Sequence, residues 1–148
     1  MPELAKLPNV MYEAGISCGH CHRQEKELTL EDRQFVTHIT TADNCVSCHG
    51  DDGYREMFDE WRADTRGAMG ALAGALTDVR RLADAATATG ATGAAEARAH
   101  LERAQRLYEL VVHDGSDGVH NIEYVSEILT AASAAVAQAR QALAETAP

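Results

Sequence analysis

Aromatic residues occupy only 5% of the 148 positions, and residues 1–53 are short of large aliphatic side chains as well. An ordinary protein core is therefore excluded in that N-terminal third. No apolar run approaches the ~20 residues that a membrane-crossing helix needs, so no direct membrane span is expected. The N-terminus, Met1-Pro-Glu-Leu-Ala-Lys6, has no basic-then-apolar secretory leader. Basic residues are in deficit, 13 against 23 acidic, for a formal net charge of −10. That balance argues against nucleic acid and anionic membranes as partners; it suits a docking partner with a basic face, but it reads first as ordinary solubilising surface charge. No strand pattern of useful length is visible, and the expected fold class is all-α.

Four cysteines are present, and all fall in one pattern repeated: Cys18-Gly-His-Cys21-His22 and Cys45-Val-Ser-Cys48-His49. A Cys-x-x-Cys-His run is the attachment signature of c-type haem. The spacing has a chemical reason. Two thiols add to the two vinyl groups of one porphyrin, and the next residue offers an imidazole to the iron. Cys18, Cys21 and His22 would hold one haem c, and Cys45, Cys48 and His49 a second. Two other uses of four cysteines remain open at this stage, a single tetrahedral zinc and a pair of disulfides. Neither requires a histidine after each second cysteine.

Two covalently attached porphyrins would supply the apolar mass that residues 1–53 lack. Covalent haem attachment in bacteria and archaea takes place outside the cytoplasmic membrane, so a periplasmic or extracellular location is expected. Either a leader has been removed, or the sequence starts elsewhere in a longer protein.

Beyond residue 53 the apolar residues Tyr54, Met57, Phe58, Trp61, Met69, Leu72, Leu76, Val79 and Leu82 recur at three-and-four spacing, which predicts an amphipathic helix of about eight turns. Asp51 and Asp52 precede it, where negative charge suits a helix start. Gly67, Gly70 and Gly74 lie within it, as sites of close approach or a bend. A turn over Thr87–Gly93 leads to a second helix, Ala94 to Val112, with Leu101, Ala104, Tyr108 and Val111 on one side. A glycine-containing loop follows, and Asn121 caps a third helix carrying Ile122, Val125, Leu129, Ala132, Val136 and Leu143 inward. The expected organisation is a dihaem-binding segment over 1–53 and a bundle of three long antiparallel helices over 54–148, packed partly through alanine.

The order of Gly15-Ile-Ser-Cys18-Gly-His-Cys21-His22, His38, Cys45-Val-Ser-Cys48-His49-Gly50, Gly53-Tyr54, Glu60-Trp61 and the loop Asp114-Gly-Ser-Asp-Gly-Val-His120-Asn121 resembles the C-terminal part of multihaem cytochromes related to pentahaem cytochrome c nitrite reductase. The resemblance implies that His120 is the distal ligand of the haem held by Cys18, Cys21 and His22. It also implies that His38 reaches a haem of a region absent here. His38 therefore has three readings: ligand of the second haem, ligand of a haem on another chain, or ordinary polar residue. Ligation in trans would make a homo-oligomer or a heteromer with other multihaem subunits.

The family's lysine-ligated substrate haem has no counterpart in this sequence, so nitrite reduction does not transfer. Its distal histidine for the last haem is missing too, since that stretch reads Asn9-Val-Met-Tyr-Glu-Ala-Gly15. Met11 is a minor candidate for the vacant role, His20 is poorly placed for its own iron, and His100 and His113 read first as surface residues. The leading expectation is an electron-transfer protein working between redox partners, not an enzyme. The alternatives are a haem enzyme or sensor with an open coordination site on the second haem, and a zinc-holding interaction module.

Overall fold

The computed structural model describes residues 7–145; residues 1–6, the stretch read for a secretory leader, lie outside the described residues. The elements in chain order are α1 (Val10–Glu13), α2 (Cys18–Cys21), β1 (Gln24–Leu30), β2 (Arg33–Ile39), α3 (Ala42–His49), α4 (Gly53–Ala88), α5 (Ala94–Asp114) and α6 (Ile122–Ala144). They divide into a unit over Pro8–Glu60 and a second made up of Leu7 and residues 61–145.

The first unit corrects the all-α expectation. Between the two cysteine motifs the chain forms an antiparallel hairpin, with Leu28 opposite Phe35 and Glu25 opposite His38. The strands were not legible because Gln24–Leu30 carries three charges in succession, Glu25, Lys26 and Glu27, so no apolar–polar alternation shows there. The turn was hidden as well. Glu31 and Asp32 both take positive φ, 48° and 60°, which is the two-residue type I′ arrangement usually signalled by Asn-Gly or Asp-Gly.

Side chains alternate across the ribbon, so Leu28, Leu30, Phe35 and Ile39 share one face. Much of this apolar surface is uncovered: Leu30 is 67% exposed and Phe35 48%, and Val10 and Tyr12 elsewhere in the unit exceed 70%. Only Ala42 and Phe58 are buried among its described residues. A two-stranded ribbon is marginal in water without something packed against it. The polypeptide of this unit does not make a core of its own.

The second unit is the helical bundle. Leu72, Leu76, Val79 and Ala83 of α4, Ala97, Leu101, Ala104, Leu107 and Val111 of α5, and Val125, Ile128, Leu129, Ala132, Ala135, Val136, Ala139 and Ala142 of α6 form one buried cluster. The predicted stripes are close to this, with shifts of one position. Ala83 is buried where Leu82 was expected, and Leu82 is 47% exposed. Leu107 is fully in the core, while Tyr108, Ile122 and Leu143 are only partly covered. Small alanines at the contacts allow the helix backbones to approach, and the exposed leucine follows from the helix's rotation to present them.

Helix α4 has 36 residues, or ~10 turns at 3.6 residues per turn, longer than the spacing suggested. Its start is capped as the acidic pair implied: Asp51 Oδ1 accepts the Gly53 N–H at 2.8 Å. Gly67, Gly70 and Gly74 do not interrupt it, and beyond the helix's own neighbouring backbone no atom lies within 4 Å of where a Cβ would stand at any of them. Asn121 caps α6, its side chain accepting from the Tyr124 N–H at 3.1 Å. On the surface, Arg98 pairs with Asp84 at 2.9 Å and Arg80 donates to Gln105 at 3.1 Å, joining α4 to α5. No helix among the described residues is long and apolar enough to cross a membrane.

Candidate haem centre

The first motif lies on α2, a single turn that puts Cys18 and Cys21 on one side because residues three apart are neighbours on a helix. His22 follows as the C-cap residue. Its ring is oriented by the hairpin: His22 Nδ1 lies 2.8 Å from the carbonyl oxygen of His38. A carbonyl only accepts, so Nδ1 carries the proton and Nε2 has the lone pair. That tautomer is the one an Nε2 metal ligand requires, and a backbone acceptor of this kind fixes ring orientation and raises ligand basicity. His20 is occupied locally, its Nδ1 accepting the Ser17 N–H at 3.0 Å.

The second motif ends α3. Cys45, Cys48 and His49 stand at i, i+3 and i+4, on one helix face. Gly50 stops the helix with φ 72°, and its N–H bonds the Val46 carbonyl at 2.7 Å. The His49 ring stacks on Tyr54, with centroids 3.9 Å apart and planes 16° from parallel. Arg55, from the same first turn of α4, pairs with Asp43 at 2.6 Å.

The two motifs are tied to each other. Asn44 donates from Nδ2 to the Cys21 carbonyl and lies 3.2 Å from Thr40 Oγ1. Burial pushes the Cys45 thiol above its ordinary pKa, and the nearby Cys21 adds to the rise. Asn44, Tyr54 and the His38 carbonyl are contributions that sequence reasoning missed. The positions of Asn44, next to a motif cysteine, and of Tyr54, five residues past His49, were the signals available.

His38 itself stands on β2 with its Nε2 3.9 Å from Glu25 Oε1 and its side chain 55% exposed. Met11 is half-buried in α1. In the second unit, His100 lies on α5 with its Nε2 3.8 Å from Glu96, and His113 is exposed in the last turn of that helix.

His120 belongs to the loop between α5 and α6, which is highly built. Gly115 ends α5 in the left-handed region. Asp114 Oδ1 lies 2.8 Å from His120 Nδ1. Its other oxygen accepts the Ser116 N–H at 3.2 Å and the Ser116 hydroxyl, while Ser116 Oγ accepts the His120 N–H at 3.2 Å. Arg62 and Arg66 of α4 both reach Asp117 Oδ2, at 3.2 and 2.6 Å. Burial pushes the Asp114 carboxyl up, but the hydrogen bonds from Ser116 and His120 outweigh it and hold the group below the usual carboxylate range.

The residues fit covalent haem. Each motif offers two thiols and an adjoining imidazole, the His22 tautomer is set for Nε2 ligation, and the same unit carries exposed apolar side chains at Val10, Tyr12, Leu30 and Phe35. None of the four cysteines is in a disulfide, and no group of three His, Cys, Asp or Glu side chains converges as a metal site among the described residues. The disulfide and zinc readings thus have no geometric support.

These features are those of a c-type cytochrome, a protein that holds haem covalently through Cys-x-x-Cys-His runs. The chain belongs to the cytochrome c552 family, which it matches over residues 3–148. Among solved structures it is similar to the outer cell wall cytochrome OcwA, at 26% identity and a TM-score of 0.56, over 92% of this chain and 28% of that one. The chain therefore spans less than a third of that cytochrome. A comparison with curated proteins gave no match.

Proposed function

We propose that this chain is a dihaem electron-transfer cytochrome, or the dihaem module of a longer multihaem wire. One haem is held by Cys18, Cys21 and His22 and the other by Cys45, Cys48 and His49. The observation that carries the reading is the His22 Nδ1–His38 carbonyl hydrogen bond, since it commits the imidazole to ligation through Nε2. When bound, each haem supplies a one-electron ferric–ferrous couple, and the protein sets its potential through ligand identity, burial and hydrogen bonds to the ligands.

His120 serves as the distal ligand of the first haem. For the second, His38 is the nearest candidate, with Met11 behind it; alternatively His38 serves a haem of a neighbouring subunit. The tie between Asn44 and the Cys21 carbonyl supports close placement of the two attachment sites and fast electron passage between them. The net charge of −10 suits a redox partner with a basic face, and the c-type chemistry suits a location outside the cytoplasm. A second reading rests on the missing histidine in Asn9–Gly15: an iron open on one side would bind small ligands or reduce them.

The test is intact mass with ferric and ferrous visible spectra of the chain matured with its haem-attachment machinery. Two added haems, both low-spin in either state, support a six-coordinate carrier. A high-spin fraction that shifts on cyanide or nitrite would replace it with the open-site reading, and a colourless protein would overturn both.

A further inference from the structure

The loop between α5 and α6 contains more construction than a surface connection requires. Five polar side chains, from Arg62, Arg66, Asp114, Ser116 and Asp117, are spent on it. Thr65 is buried beneath Gly118, whose missing Cβ would stand 2.4 Å from Thr65 Oγ1. The two arginines fix Asp117, and the close fit over Thr65 fixes the next residue. His120 is thereby anchored from behind by α4 and from the side by the end of α5.

From this geometry we propose that Asp114 is the positioning residue for His120, holding its imidazole as an Nε2 ligand of anionic character and lowering the potential of the iron it binds. This rests on the assignment of His120 as a distal ligand. The argument is chemical. A carboxylate 2.8 Å from Nδ1 takes up the proton side of the ring, so Nε2 carries the lone pair. Charge-assisted hydrogen bonds are about twice as strong as neutral ones, and a carboxylate behind a ligating histidine raises the ligand's basicity. A more basic imidazole donates more strongly to the iron and favours the ferric state. His22 has a neutral carbonyl at its Nδ1, a weaker backing for a ligating imidazole than a carboxylate.

Asp114 is also fixed in its own right. It is the last residue of α5, and Ser116 bonds its second oxygen twice over. The carboxylate therefore cannot rotate away from His120 without losing those bonds. Ser116 completes a closed ring by accepting the His120 backbone N–H.

The test uses the holoprotein with both haems attached, comparing wild type, Asp114→Asn, Asp114→Glu and His120→Ala by potentiometric titration, low-temperature EPR and far-ultraviolet circular dichroism. Asp114→Asn is nearly isosteric and keeps an acceptor for Ser116, so helix content should stay at the wild-type level. One midpoint potential should rise, the other should hold, and one low-spin EPR signal should change its g-anisotropy while remaining low-spin. Asp114→Glu should bring both readouts back toward wild type.

His120→Ala should turn one haem high-spin. If it does not, His120 is no ligand and the proposal falls together with that assignment. If His120→Ala gives the high-spin haem but Asp114→Asn leaves potential and EPR signal unchanged, the ligand assignment stands and the role of Asp114 is overturned. A potential that rises without any change in the EPR signal also overturns it, because loss of a distant charge does the same.

Discussion

Two glycine-to-alanine substitutions should move the stability of this protein in opposite directions. Gly118 has φ +91°, and an added Cβ would stand 2.4 Å from Thr65 Oγ1 and 2.9 Å from Ile122 Cδ1. Thr65 is 3% exposed and has little room to give, whereas Ile122 Cδ1 ends a partly covered side chain that can turn aside. The left-handed backbone costs a non-glycine residue roughly 1–2 kcal/mol, and overpacking adds about 1–3 kcal/mol. The sum is on the order of 2–5 kcal/mol. At ~2–4 °C per kcal/mol for a chain of this size, Gly118→Ala should lower Tm by roughly 5–20 °C.

Gly74 is the counterpart. It sits inside α4 with nothing beyond the helix's own neighbouring backbone within 4 Å of an added Cβ, so alanine there should stabilise by about 0.4–1 kcal/mol through the reduced entropy of the unfolded chain. Thermal melts of the two holoprotein variants by circular dichroism at 222 nm decide the matter. A Gly118→Ala melting point within about 1 °C of wild type would refute the packing of the loop on Thr65. Because that loop carries His120, the visible spectrum should lose low-spin character in the same variant and keep it in Gly74→Ala.

Leu107→Ala, which opens a cavity at a position 3% exposed in the bundle, should cost ~2–5 kcal/mol, read from denaturant or thermal unfolding, with the haem spectra unchanged before the transition. In the hairpin, replacing Glu31→Asn and Asp32→Gly together relieves two non-glycine residues at positive φ and should stabilise that unit by about 1 kcal/mol. Slower amide exchange across β1 and β2 would show it, and faster exchange would contradict the type I′ turn.

The bundle was legible because its helices are long and their apolar residues repeat at a helical period. Leu72, Leu76, Val79, Leu101, Val111, Val125, Leu129 and Val136 all lie in the core where the spacing put them. One misplacement came from alanine. Ala83 takes the buried position that volume alone would give to Leu82, since a small residue lets two helices come close and a large one does not fit the same gap. The hairpin was not legible at all. Its strands carry Glu25, Lys26 and Glu27 in succession, and its turn is made by Glu31 and Asp32 in place of a glycine.

What the sequence determined by itself is covalent and local: two Cys-x-x-Cys-His runs define attachment chemistry through spacing along the chain, and helical periodicity defines three long helices through side-chain burial. What only the tertiary structure decided is orientation. The proton on His22 Nδ1 is set by a carbonyl sixteen residues away at His38, and His120 is held by Asp114 and a loop clamped to α4. Hydrogen-bond partners of this kind depend on where folded segments meet, and residue spacing along a chain carries no information about that.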